Sequence, residues 1–153
     1  MIPIKSKEDL KMLKKSGKIL AEILQRLKEF IQVGISTIEI DRLAEGLVRK
    51  KNAIPAFKGY RDFPANICTS INEEVVHGIP SSRRLKDGDI ISLDLGINYK
   101  GYFSDAAITS AVGQIDARRE KLIAITRNAL SEGIKEMRIN NHVQIYLMQF
   151  KPM

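Results

Sequence analysis

Residues 90–109 constrain the fold more than any other part of the chain, because they predict two antiparallel strands joined by a short turn. In the first strand, apolar residues alternate with small or acidic ones over the run Ile91, Ser92, Leu93, Asp94, Leu95, Gly96, Ile97. A period of two places the apolar set on one face of a strand and the other set on the opposite face. The second strand carries Asp105.

A turn centred between Tyr99 and Lys100 would pair Asp94 directly with Asp105. Side chains at such a pair have Cβ atoms about 4.5–5.5 Å apart, and like charges there repel. Two buried carboxylates at that separation need a cation or a shared proton between them. Hard divalent ions are one candidate, and a pair of ions about 3.5–4 Å apart would fit. The alternative is that the acids lie on a solvated face, and spacing alone leaves both interpretations open.

Composition indicates a soluble globular domain. The 153 residues fit one domain, no run of about 18 apolar residues is present, and the first residues are not a secretory signal. Cys68 is the one cysteine, which excludes an intrachain disulfide framework and a cysteine-based zinc site and is typical of the reducing cytosol. These features predict a cytoplasmic protein that does not bind membranes.

The net charge of +7 is carried by lysines spread along predicted helices. Such a charge is typical of a well-solvated basic surface, and it would also favour contact with RNA-rich surfaces such as the ribosome. No basic patch is interleaved with aromatic residues, so sequence-specific recognition of nucleic acid is not predicted.

Three helices are predicted from their start signals. Ser6 and Asp9 begin the first, which the apolar spacing carries to Gly34, and a capping box at Ser36 and Glu39 begins the second. The third begins at Asp116. We interpret the lysines and glutamates of the first two helices as solvated surface.

Residues 54–64 lack helical spacing and are predicted to form a loop with three aromatic residues, Phe57, Tyr60 and Phe63. They either line an apolar pocket or attach the loop to the core. A strand is predicted at residues 66–72, and His77 follows where the chain turns. A lone histidine at a turn is commonly structural.

Three motifs together resemble those of the bacterial type I methionine aminopeptidases: N-E-E-V-V-H-G-I-P at 72–80, D-G-D-I-I-S-L-D-L-G at 87–96, and G-Y-F-S-D-A-A at 101–107. The resemblance extends to about residue 144. It implies an α/β (α+β) pita-bread fold, in which two similar halves each contribute helices and antiparallel strands. Residues 1–144 would form a partial metallopeptidase domain, comprising the first half and the first helix of the second.

The resemblance also implies roles for individual residues. The family holds two divalent metal ions (Co, Mn, Fe or Zn) with two aspartates, one histidine and two glutamates. Asp94 and Asp105 match the aspartates, Asp94 chelating one ion and Asp105 bridging both, and His77 matches the histidine that hydrogen-bonds the substrate. Four residues match the lining of the methionine pocket: Phe57, Tyr60, Phe63 and Cys68.

Asn72 and Glu74 match a turn whose backbone carbonyls bind a monovalent cation in relatives. The remaining family ligands, one histidine and two glutamates, have no match in this sequence. After residue 144 the resemblance stops, and we interpret residues 145–153 as a tail foreign to the family, with a frameshift as the leading hypothesis. The alternatives are a deliberate fragment of a longer protein and a natural short paralogue.

The implied function is removal of the initiator methionine from nascent proteins by metal-activated water, with this chain truncated and inactive alone. A different class of function is a non-catalytic pita-bread module that binds a protein or ribosomal partner. A third interpretation is a relative that acts on X-Pro bonds. It is disfavoured, because H-G-I-P after N-E-E-V-V fits the methionine group better.

Overall fold

A computed structural model describes residues 4–141. The elements follow in the order α1 (Lys7–Phe30), α2 (Thr37–Lys50), β1 (Ile54–Pro55), a short 3-10 turn (Tyr60–Asp62), β2 (Cys68–Ile71), β3 (Ile90–Tyr99), β4 (Tyr102–Ala111) and α3 (Ala117–Lys135). One compact unit ends at Ile115, and α3 belongs to a second. None of the described helices is both long and apolar enough to cross a membrane. The predicted tail at 145–153 lies outside the described residues.

The predicted helix starts are confirmed. The Asp9 N–H donates to Ser6 Oγ (3.1 Å) and the Ser6 N–H donates to Asp9 Oδ2 (2.9 Å), so each residue satisfies a free backbone donor of α1. In α2 the Ser36 N–H donates to Glu39 Oε2 (2.9 Å). The predicted end of α1 at Gly34 is wrong: the helix stops at Phe30, and the Gly34 N–H donates to the Leu85 carbonyl (2.8 Å) in a separate turn.

The third helix begins where its sequence predicts. Asp116 is the N-cap of α3, and its carboxylate accepts the Arg119 N–H (2.8 Å). An acidic side chain at this position also faces the positive end of the helix dipole. Local capping chemistry therefore sets all three helix starts.

The sheet is organised around β3, whose ten residues all pair with β4. Because β4 occupies one edge of β3 throughout, β2 and β1 share the other edge, β2 opposite residues 91–94 and β1 opposite residues 97–98. All pairings are antiparallel. Strand β3 therefore positions every other strand of the sheet.

The predicted register of the hairpin is wrong by two residues. The loop is Lys100 and Gly101, both with positive φ (54° and 88°), which is the arrangement of a type I′ turn with glycine second. Tyr99 consequently pairs with Tyr102. A shift of two residues keeps every side chain on its face, so the predicted alternation is confirmed.

Helices α1 and α2 cover one face of the sheet. The apolar residues of β3 lie on this face fully buried, as Ile91, Leu93, Leu95 and Ile97. They pack in one core with the buried side of α1, formed by Ile19, Leu20, Ile23, Leu24 and Leu27. Ser16 of α1 attaches this helix to β4, since its hydroxyl lies 3.0 Å from the Tyr102 carbonyl and 2.8 Å from the Ser104 hydroxyl. The opposite face is left to polar and small residues.

A buried carboxylate that no sequence pattern indicated fixes the start of β2. Asp41 of α2 is buried and accepts the Asn66 N–H (2.7 Å), the Asn66 side-chain amide (2.8 Å) and the Ile67 N–H (3.2 Å). Charge-assisted hydrogen bonds to buried backbone donors stabilise a fold strongly, because the donors are costly to leave unpaired.

We predict that Asp41→Ala lowers the free energy of unfolding by about 3 kcal/mol, because it leaves the buried backbone N–H groups of Asn66 and Ile67 without an acceptor. Urea denaturation followed by circular dichroism measures the change. The matched control is Glu73→Ala, which removes an exposed carboxylate and should change the value by less than about 0.5 kcal/mol. Equal losses in the two variants would contradict the role given to Asp41.

Candidate metal and substrate site

Asp94 and Asp105 lie on the open face of the sheet as diagonal neighbours. Asp105 pairs with Gly96 and Asp94 pairs with Ala107, so the predicted direct pairing of the two acids is corrected. Diagonal positions on one face are still within side-chain reach, at about 7–8 Å. We call this side of the sheet the carboxylate face, defined by Asp94, Asp105, Gly96 and the opposing residue of β2, Cys68.

The two carboxylates affect each other electrostatically. Burial raises the pKa of Asp94, and the charge of Asp105 and a hydrogen bond between the two side chains raise that pKa further. His77 acts in the opposite direction and lowers the pKa of Asp94. Like charges so close favour a proton or a cation between them.

Cys68 belongs to the same cluster. It pairs with Asp94 across the β2–β3 ladder and is buried. Burial first, and then the charges of Asp94 and Asp105, raise the pKa of the Cys68 thiol to about 11. The side chain is therefore a neutral thiol near pH 7, which makes it an apolar wall rather than a nucleophile.

His77 is held beside β2 by the residue that follows it. The Thr69 N–H donates to the Gly78 carbonyl (2.8 Å), and the Gly78 N–H donates to Ser70 Oγ (3.1 Å). A Cβ on Gly78 would lie 2.2 Å from the Thr69 carbonyl oxygen, so only glycine permits this approach. His77 itself is exposed and has a φ of 60°, an uncommon backbone conformation that occurs often at functional positions.

The aromatic loop reaches the carboxylate face through Phe57. A Cβ on Gly96 would lie 2.5 Å from the Phe57 ring, so the ring packs directly on the strand opposite Asp105. Phe63 contacts Phe57 edge to face, with ring centroids 6.4 Å apart. Gly96 was not among the predicted site residues, although a glycine inside an alternating strand is itself a sign of close approach.

Tyr60 lies in the same loop but points to solvent. Its backbone stabilises the loop through two hydrogen bonds. The Tyr60 N–H donates to the Phe57 carbonyl (2.9 Å), and the Phe63 N–H donates to the Tyr60 carbonyl (3.0 Å). Its side chain is 64% exposed and stacks with Arg61 at 5.5 Å. The structure thus brings Phe57 and Cys68 to the carboxylate face, places Phe63 against Phe57, and leaves the Tyr60 ring largely in solvent.

Asn72 and Glu74 form a hydrogen-bonded turn between β2 and β3. The Asn72 side chain donates to Asp89 Oδ1 (2.8 Å) and accepts the Ile90 N–H (3.0 Å). Glu74 accepts the Ile71 N–H (2.8 Å) and pairs with Arg83 (2.7 Å). These contacts fix the turn that leads towards His77.

The donor set of the carboxylate face fits divalent cations only in part. Two anionic oxygen donors that repel each other suit hard divalent ions. Among residues 4–141, however, no group of three or more histidine, cysteine or acidic side chains is arranged to hold a metal ion. The described residues therefore offer two side-chain ligands, and a complete coordination shell needs others.

Comparisons with known proteins agree with this geometry. A model of metallopeptidase family M24 matches residues 11–145. The chain is 46% identical to a methionine aminopeptidase of Clostridium perfringens over 143 residues, which cover 94% of this chain and 57% of the relative. It is 44% identical to methionine aminopeptidase 1 of Bacillus subtilis, covering 96% of the chain and 62% of the relative.

Solved structures give the same result. Methionine aminopeptidase of Thermotoga maritima superimposes with a TM-score of 0.86 at 38% identity, over 90% of this chain and 55% of that one. The prolidase of Pyrococcus furiosus has a TM-score of 0.74 at 26% identity, over 85% of this chain and 37% of that one. The predicted pita-bread fold and the resemblance to methionine aminopeptidases are confirmed. The chain spans a little over half the length of these curated relatives.

We predict that Gly96→Ala destabilises the chain by about 1–3 kcal/mol, because the added methyl overlaps the Phe57 ring. In a Phe57→Ala background the same substitution should cost less than about 0.5 kcal/mol. A double-mutant cycle by urea denaturation measures this coupling. Gly46→Ala is the control, since a Cβ there meets no atom within 4 Å. An equal cost of Gly96→Ala in both backgrounds would refute the contact.

Proposed function

Because the chain belongs to metallopeptidase family M24, we propose that it carries part of the active site of a methionine aminopeptidase, which removes the N-terminal methionine of nascent proteins. The observation that supports this most is the pair of carboxylates, Asp94 and Asp105, on one face of the sheet and electrostatically coupled. Relatives named methionine aminopeptidase give the reaction its substrate class. Nascent proteins appear in the cytoplasm, so we assign the function to that compartment.

In this proposal Asp94 and Asp105 are metal ligands. Their oxygens would hold two divalent ions, with Co, Mn, Fe and Zn as the candidates. The cations would relieve the repulsion from Asp105, which adds to the effect of burial in raising the pKa of Asp94. When bound, such ions lower the pKa of a water molecule and supply a hydroxide nucleophile near neutral pH. A monovalent cation at the turn of Asn72 and Glu74 would be a further, structural ion.

The neighbouring residues would bind the substrate. The edge-to-face pair of Phe57 and Phe63 and the neutral thiol of Cys68 offer an apolar, polarizable surface beside the carboxylates. An unbranched thioether side chain makes favourable contacts with aromatic rings, which suits methionine. Tyr60, at the outer end of the loop, would need to turn inwards when substrate binds.

His77 would position the peptide bond that is cleaved. Its effect on the pKa of Asp94 indicates that the imidazole lies within electrostatic range of the carboxylates. A hydrogen bond from the imidazole to the scissile amide, or to the oxyanion of the tetrahedral intermediate, would stabilise the transition state. The left-handed backbone of His77 and the close approach of Gly78 to Thr69 fix the position of the backbone that carries this imidazole.

We predict that the purified chain binds Mn²⁺ or Co²⁺ weakly and that Asp105→Asn or Asp94→Asn lowers the affinity roughly tenfold or more, because each removes one of two anionic ligands. Isothermal titration calorimetry measures the affinity. Glu73→Gln removes the same charge from an exposed turn residue and should leave binding unchanged. A non-catalytic module that binds a protein or ribosomal partner has no need of this ion, and binding that no aspartate variant affects would favour it.

We further predict that this chain alone releases no measurable methionine from a Met-Ala peptide in the presence of Mn²⁺. Two carboxylates leave the coordination shell of each ion dominated by water, so the ions would be bound loosely and without defined geometry. Release is followed by chromatography, with a complete methionine aminopeptidase as the positive control. Release that Asp105→Asn abolishes would overturn the proposal that the chain is inactive alone.

A further inference from the structure

The exposed side of α1 carries a row of lysines. Four of them recur at intervals of four, three and four residues, which places them on one side of a helix: Lys7, Lys11, Lys14 and Lys18. All four are exposed, and the opposite side of α1 is buried in the core. At a rise of 1.5 Å per residue the row is about 16 Å long. We call it the lysine face.

Few acidic groups offset this charge. Among residues 4–141, Lys7, Lys14 and Lys18 form no ion pair within 4.0 Å, and Lys11 reaches only Glu8, at 3.8 Å with both side chains largely exposed. Exposed pairs of that length contribute little. Glu22, the next acid along the helix, pairs with Lys51 (2.6 Å). The lysine face therefore keeps a positive charge available to a partner.

A second cluster of positive charge adjoins α1. The ammonium groups of Lys15 and Lys100 both lie near the ring of Tyr99, at 5.3 Å and 5.8 Å from its centroid. Cation–π contacts hold these two like charges together, although the charges repel each other. Lys15 belongs to α1 and Lys100 to the hairpin loop, so the basic surface continues from the helix onto the sheet.

We propose that the lysine face, with Lys15 and Lys100, binds the phosphate backbone of RNA. A nucleic-acid strand presents a row of regularly spaced negative charges, which suits a straight row of lysines and requires no base recognition. A membrane fits less well, because the apolar side of α1 is buried and cannot enter lipid. The choice of RNA rests on the proposed function, since nascent proteins emerge beside RNA. From the sequence alone we interpreted these lysines as solvated surface, and the proposal now assigns them RNA as a partner.

The test is fluorescence anisotropy with a labelled single-stranded RNA and the purified chain in EDTA. Six phosphate contacts predict a slope of log affinity against log salt of about −4.2, which is about a 300-fold loss between 50 and 200 mM salt. The variant Lys7→Gln, Lys11→Gln, Lys14→Gln, Lys18→Gln should lose at least tenfold in affinity at 50 mM salt and most of the slope.

The control removes four exposed lysines elsewhere, as Lys28→Gln, Lys50→Gln, Lys58→Gln, Lys86→Gln, and should change the affinity less than threefold. Equal losses in both variants would mean that net charge alone binds RNA and would overturn the proposal. Binding of polyglutamate or of phosphatidylserine vesicles as tight as that of RNA would also overturn it. The assay uses neither metal nor peptide, so its failure is distinguishable from failure of the peptidase proposal.

Discussion

The packing of β3 against α1 is the interaction on which the rest of the unit depends, because it leaves Asp94 and Asp105 together on the opposite face. The acids can be held on one face of the sheet because the alternate residues of β3 are fully buried on the other. Burying a leucine or isoleucine side chain contributes about 1.5–3 kcal/mol, so the four of β3 fix the strand firmly. A slip of one residue would bury the acids and expose the core, which keeps the register of the hairpin strict.

The carboxylate face has room for Phe57 because two short strands, β2 and β1, share the edge of β3 that does not pair with β4. Strand β2 ends its pairing at Asp94 and β1 begins at Ile97, so neither covers Gly96. The Ala56 N–H donates to the Gly96 carbonyl (2.9 Å) in this gap, and the ring of Phe57 then packs where a side chain would stand. Because Gly96 has no side chain, the apolar ring of Phe57 can lie next to Asp94 and Asp105.

Short-range chemistry explains which features were predictable from the sequence. Helix starts depend on caps within three residues, and the faces of β3 depend on a period of two, so both were predicted correctly. The register depended on which residues of the loop adopt positive φ, and a displacement of the turn centre by one residue moved Asp105 from Asp94 to Gly96. Asp41 was missed because its partners lie 25 residues away and no local pattern marks them.

The charges of this unit are separated by the sheet itself. Helix α1 packs on the core face through Ser16 and its apolar side, so its lysines lie on the side of the sheet away from Asp94 and Asp105. Between them lies a low-dielectric core, and solvent screens charges beyond about 10 Å at ordinary ionic strength. A polyanion bound to the lysines would therefore leave the carboxylate face open. Strand β3 therefore has two roles. It carries Asp94 on one face of the sheet, and its buried residues on the other face position the basic helix α1.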